Sequence, residues 1–117
     1  MMMTLFQVAL GGAIGSVLRF WTVAAIGAPL GTLAVNVLGS FVMGVLFIIL
    51  TARTGFSPLL MTGILGGFTT FSAFSLDALK LWQAGQTVPA LAYVGASVIL
   101  SLGAVALGAL LAKGVLA

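Results

Sequence analysis

Apolar positions dominate this chain so completely that its few charged residues act as punctuation. Arg19, Arg53, Asp77, Lys80 and Lys113 leave uncharged runs of 18, 33, 23 and 32 residues. A helix needs about 20 apolar residues to cross the hydrocarbon of a bilayer, so these runs must hold every spanning element. Gly27, Pro29 and Gly31 divide the 33-residue run, and Gly85, Gln86 and Pro89 interrupt the last one. Such residues mark turns. The pattern predicts four spans, at about 5-26, 31-52, 57-82 and 88-112, forming a single four-helix transmembrane domain over 1-117. Ser57-Pro58 reads as a helix start with proline in the first turn.

Composition supports this. The 117 residues are 62% hydrophobic and 4% charged, with a mean hydropathy of +1.38, values of an integral membrane protein. The first apolar stretch is too long for a secretory signal, and no basic segment precedes it. A net charge of +3 is spread over four scattered basic residues, which make no nucleic-acid patch. With no cysteine and no histidine, thiolate chemistry and the common zinc sites are excluded. No acid, base, nucleophile or phosphate loop is recognisable, which excludes an enzyme. Four spans put Arg53 and Lys113 on one side and Arg19 and Lys80 on the other. This near tie predicts weak orientational preference, and hence insertion in both directions.

Polar residues inside the spans are few. Arg19 lies seven residues before the end of the first span and Asn36 five after the start of the second, so both sit about 8 to 10 Å inside the same face. Arg19 either snorkels to the surface or acts electrostatically at a vestibule, and Asn36 either joins helices or offers its amide to an anion. Tyr93, Ser97 and Ser101 recur at i, i+4 and i+8 and align three hydroxyls on one face. Residues 66 to 75, Gly-Gly-Phe-Thr-Thr-Phe-Ser-Ala-Phe-Ser, invite the third helix to open at mid-depth. A bilayer tolerates that only against protein or a water-filled path. Phe71 and Phe74 share a face there, and their ring edges are positive toward an anion. Asp77 and Lys80 are expected to pair at the surface, and Trp21, Trp82 and Tyr93 to serve as interface anchors. Small-residue pairs at Gly11 and Gly15, Gly12 and Ser16, Ser40 and Gly44, and Gly108 and Ala112 predict close helix approach.

Three segments taken in order resemble the small fluoride channels of the CrcB or Fluc type, over essentially the whole chain. They are Gly11 to Phe20, Gly31 to Ser40, with Asn36 in its middle, and Gly66 to Phe74. The resemblance implies an all-α integral membrane fold, with four transmembrane helices, a break in the third, and an antiparallel dual-topology homodimer in the cell (inner or plasma) membrane. It implies passive fluoride efflux that protects from fluoride toxicity, with fluoride, the bilayer and a second copy of the chain as partners. The fluoride pathway would fall on Asn36, Phe71, Ser72, Phe74, Tyr93, Ser97 and Ser101, with Arg19 at a vestibule. A structural sodium ion at the dimer interface would be held by the backbone carbonyls of Gly66 and Thr69. Ala73 stands where the family usually has threonine, which removes one hydroxyl. The alternatives are a small four-helix proton-coupled exporter, which needs an embedded carboxylate, and a non-transporting membrane subunit.

Overall fold

The computed structural model describes residues 1–50 and 55–116. Ala52, the expected end of the second span, and Arg53 lie outside the described residues. The chain forms α1 (Met2–Ile26), α2 (Leu30–Leu50), a π-helix (Pro58–Leu65), α3 (Gly66–Phe68), α4 (Phe71–Gln83) and α5 (Thr87–Leu116). Among the described residues, four helical stretches are long and apolar enough to cross a membrane: Met2–Ile26, Leu30–Leu50, Pro58–Gln83 and Thr87–Leu116. The fold is all-helical, as expected, and suits a multi-pass membrane protein.

The turn glycines do what their position suggests. Gly27, at φ 92°, ends α1 with its amide on the Val23 carbonyl at 2.7 Å, and Gly85, at φ 79°, lies between α4 and α5. Side chains rarely adopt that left-handed backbone, so glycine is the residue that makes these reversals at no steric cost. Proline does begin the third span, but the eight residues that follow are π-helical, a widening that the hydropathy pattern does not disclose.

Apolar burial plays a small part in the packing, because lipid is as apolar as leucine and gives helices little hydrophobic reason to associate. The helices instead approach through small residues. On one side α1 lies against the π-helix. A Cβ added to Gly11 would stand 2.5 Å from the Leu59 carbonyl oxygen, and one on Gly15 would collide with the Ile64 carbonyl. On the other side α2 lies against α5, with Gly44 closed by the Val105 carbonyl and Gly108 by the Phe41 carbonyl. Along the third span the neighbours change: the π-helix and α3 pack on α1, whereas α4 packs on α5 and α2. A cavity of about 210 Å³, lined by Arg19, Phe20, Val23, Ala24, Thr70 and Ala73, fills the gap left between α1 and α4.

Candidate functional site

The change of neighbours happens at two residues. Thr69 (φ −87°, ψ 156°) and Thr70 (φ −152°, ψ 124°) are extended, between the end of α3 and the start of α4. In a continuous helix the Thr70 amide would bond the Gly66 carbonyl and the Ala73 amide the Thr69 carbonyl. Here the Thr70 N–H donates to Asn36 Oδ1 at 2.7 Å and the Ala73 N–H to Thr70 Oγ1 at 3.1 Å. Asn36 Nδ2 in turn donates to the Thr70 carbonyl at 2.9 Å, so one amide side chain satisfies both polar groups of one peptide residue. Arg19 Nε donates to the Gly67 carbonyl at 2.9 Å. Buried peptide groups without partners cost several kcal/mol each, on the order of 2–7, in an apolar medium. Arg19 and Asn36, read from sequence as lying at one depth, therefore supply from α1 and α2 the bonds that the extended residues give up.

Beside Thr69 and Thr70 opens a cavity of about 320 Å³. Of the residues expected on an ion path, Asn36, Phe71, Phe74, Ser97 and Ser101 line it. Ser40, one turn beyond Asn36 on α2, lines it as well, as do both threonines. The Phe71 and Phe74 rings are tilted at 57° with centroids 5.4 Å apart. They differ sharply in environment: Phe71 is 76% exposed and Phe74 is 8% exposed. The Ser97 hydroxyl is buried and has no hydrogen-bond partner among the described residues. A buried hydroxyl without a partner is costly, and this one belongs to a residue lining the cavity.

Of the remaining expected residues, Ser72, Tyr93 and Gly66 lie outside that cavity. Ser72 is exposed, with its hydroxyl 3.3 Å from Thr70 Oγ1. Tyr93 is buried at the end of an aromatic row, its ring centroid 5.3 Å from that of Phe74. Gly66 is exposed, whereas Thr69 lines the cavity and turns its hydroxyl to the Leu65 carbonyl at 3.0 Å. Ala73 lines the separate cavity beside Arg19, so the hydroxyl it lacks would not have belonged to the Asn36 side.

Two expectations are corrected. Asp77 does not pair with Lys80 at the surface. It is buried and accepts the Tyr93 hydroxyl on Oδ2 at 3.2 Å, because α4 turns it toward α5 while Lys80 stays exposed. Tyr93 is buried too and so is no interface anchor, while Trp21 and Trp82 are exposed. Asp77 is the one acidic residue of the sequence, and an acid within a span usually faces the bundle interior. Thr70 and Ser40 carried weaker signals: Thr70 as the hydroxyl that caps α4, Ser40 as the i+4 neighbour of Asn36.

A family profile described as "CrcB-like protein, Camphor Resistance (CrcB)" matches residues 6–109. Similar proteins include the fluoride-specific ion channel FluC of Paracoccus denitrificans, 49% identical over 97% of this chain and 98% of that protein. The protein of the same name from Cereibacter sphaeroides is 50% identical over 97% and 98%. That from Ruegeria sp. is 48% identical over 99% of both chains.

Proposed function

Since the chain belongs to the CrcB family, we infer that it is a fluoride-specific ion channel, not an enzyme, giving passive fluoride efflux and so protection from fluoride toxicity. The observation that carries the mechanism is the cavity beside the extended threonines, lined by Asn36, Phe71, Phe74, Ser97 and Ser101, where the buried Ser97 hydroxyl has no hydrogen-bond partner among the described residues. Fluoride is small and holds its water strongly, so a selective path must replace that water with a narrow series of donors. The Asn36 amide, the Ser97 and Ser101 hydroxyls and the edges of Phe71 and Phe74 make such a series. Ser72 extends it beyond the cavity, and Tyr93 joins it when its hydroxyl leaves Asp77 Oδ2. Several moderate sites let the ion leave, whereas one tight site would trap it.

The working unit in this reading is an antiparallel dual-topology homodimer in the inner or plasma membrane. Its support is the balance of basic residues across the two faces and the exposure of Phe71 beside the cavity, which a second copy would cover. A structural sodium ion fits the Gly66 and Thr69 carbonyls. Their helix donors are diverted to Asn36 and Thr70 Oγ1, and carbonyl oxygens freed in this way suit a hard cation. Bound there, sodium supplies a fixed positive charge near the path. Arg19, with Nε on Gly67, positions the same turn and adds its charge. The exporter alternative cannot be dismissed by exposure of its acid, since Asp77 is buried. Family membership is what separates the two readings.

The test is efflux from liposomes carrying the purified protein, driven by a potassium gradient with valinomycin. Fluoride release without chloride release is expected. Release of both, or of neither from folded and inserted protein, would contradict the reading.

A further inference from the structure

We propose that the cavity lined by Ala28, Pro29, Asp77, Lys80 and Leu81 is the second mouth of the anion path, with Lys80 as the cation that admits small hard anions there. The inference rests on the channel reading. The cavity beside the extended threonines is bounded on α5 by Ser101 and Ser97. One turn nearer the start of α5 stands Tyr93, whose hydroxyl donates to Asp77 Oδ2 at 3.2 Å. Asp77 lines the second cavity, of about 290 Å³. A row of polar side chains, Ser101, Ser97, Tyr93 and Asp77, therefore leads from the lining of one cavity to that of the other. The Tyr93–Asp77 pair is what stands between them.

That row poses an electrostatic problem for an anion. A buried carboxylate repels it, and the Tyr93 hydroxyl satisfies only one carboxylate oxygen. Lys80 answers the problem. It follows Asp77 by three residues on α4, which places the two on one side of the helix, and it lines the same cavity while remaining exposed. Arg19 cannot take this part, because its Nε is bonded to the Gly67 carbonyl and it lines the separate cavity against α1. With Lys80 the mouth carries one positive and one negative charge. Without it the carboxylate alone faces the incoming ion.

A lysine that merely reached for lipid headgroups would leave conduction untouched, and the experiment separates the two roles. Lys80→Gln and Lys80→Arg are reconstituted beside the wild type, and fluoride efflux is measured at ionic strengths of about 10 mM and about 1 M, where charges are felt over roughly 30 Å and 3 Å. The expected result is a roughly three- to tenfold loss for Lys80→Gln at low ionic strength, shrinking at high ionic strength, with Lys80→Arg near the wild type. Equal flux at low ionic strength would overturn the proposal, as would a loss that salt leaves unchanged or that Lys80→Arg shares. A second variant probes the cavity without touching the charges. The chain has no cysteine, so Ala28→Cys offers a single thiol for a bulky reagent applied in detergent before reconstitution. Modification is expected to block fluoride flux, and full modification with full flux would overturn the mouth. A silent wild type would instead overturn the channel reading, and this proposal with it.

Discussion

The two halves of the third span solve the same problem in opposite ways. Up to Phe68 the span is held backbone against backbone. Gly63 meets Gly11, Gly67 meets the Gly12 carbonyl, and there is no room for a side chain between them. From Phe71 onward it is held by side chains: the Phe74 ring on Tyr93, and the Asp77 carboxylate on the Tyr93 hydroxyl. The first half leaves no space for a solvated ion, and the second leaves a cavity with donors around it. The extended residues Thr69 and Thr70 are the hinge that lets one span leave α1 and join α5. A span can carry a path where it gives up backbone packing, provided other helices supply the bonds lost at the changeover.

This contrast can be broken most violently on the packed side. Gly15→Val sets a branched side chain on the Ile64 carbonyl, where only backbone could yield. Overpacking of this kind costs about 1–3 kcal/mol or more. The expected outcome is loss of the folded species in size-exclusion chromatography and of all flux. At the hinge, Asn36→Ala removes the partners of both the Thr70 N–H and its carbonyl. Each group left unpaired costs about 1–3 kcal/mol. Protein that still folds should melt several degrees lower and lose fluoride flux with it, because the path-lining residues on either side of Thr70 lose their placement. On the open side the effects become specific. Phe71→Ile should reduce fluoride flux with a smaller loss of melting temperature than Phe74→Ile causes, since within one protomer the ring is mostly exposed. Phe74→Ile should reduce flux and stability together, since that ring is buried against Tyr93. Equal melting behaviour for the two would erase the distinction between them.

Much of the packed side was legible in the sequence. Charge spacing gave the four spans, turn glycines gave the reversals, and the small-residue pairs at Gly11, Gly15, Gly44 and Gly108 fall where helices touch, because close approach in lipid requires such residues. The open side was legible only in part. Phe71 and Phe74 share a face because helical spacing demands it. The burial of Asp77 is hidden because its i, i+3 spacing to Lys80 does not show which neighbour α4 turns it to. The glycines and hydroxyls of residues 66 to 75 mark a weak stretch of helix. Which peptide leaves the helix depends on Asn36, 34 residues from Thr70, and no local pattern contains that partner. The π-helix is hidden for a related reason, since its apolar residues would suit an α-helix equally well.

Ser97 offers the most direct test of the claim that the open side carries the ion. Its hydroxyl is buried in the cavity wall and has no hydrogen-bond partner among the described residues, so Ser97→Ala should cost the fold little. Fluoride efflux and melting temperature, measured in parallel on this variant and the wild type, should show reduced flux at unchanged or slightly raised stability. Undiminished fluoride flux would contradict the account, since the hydroxyl would then serve neither the fold nor the ion.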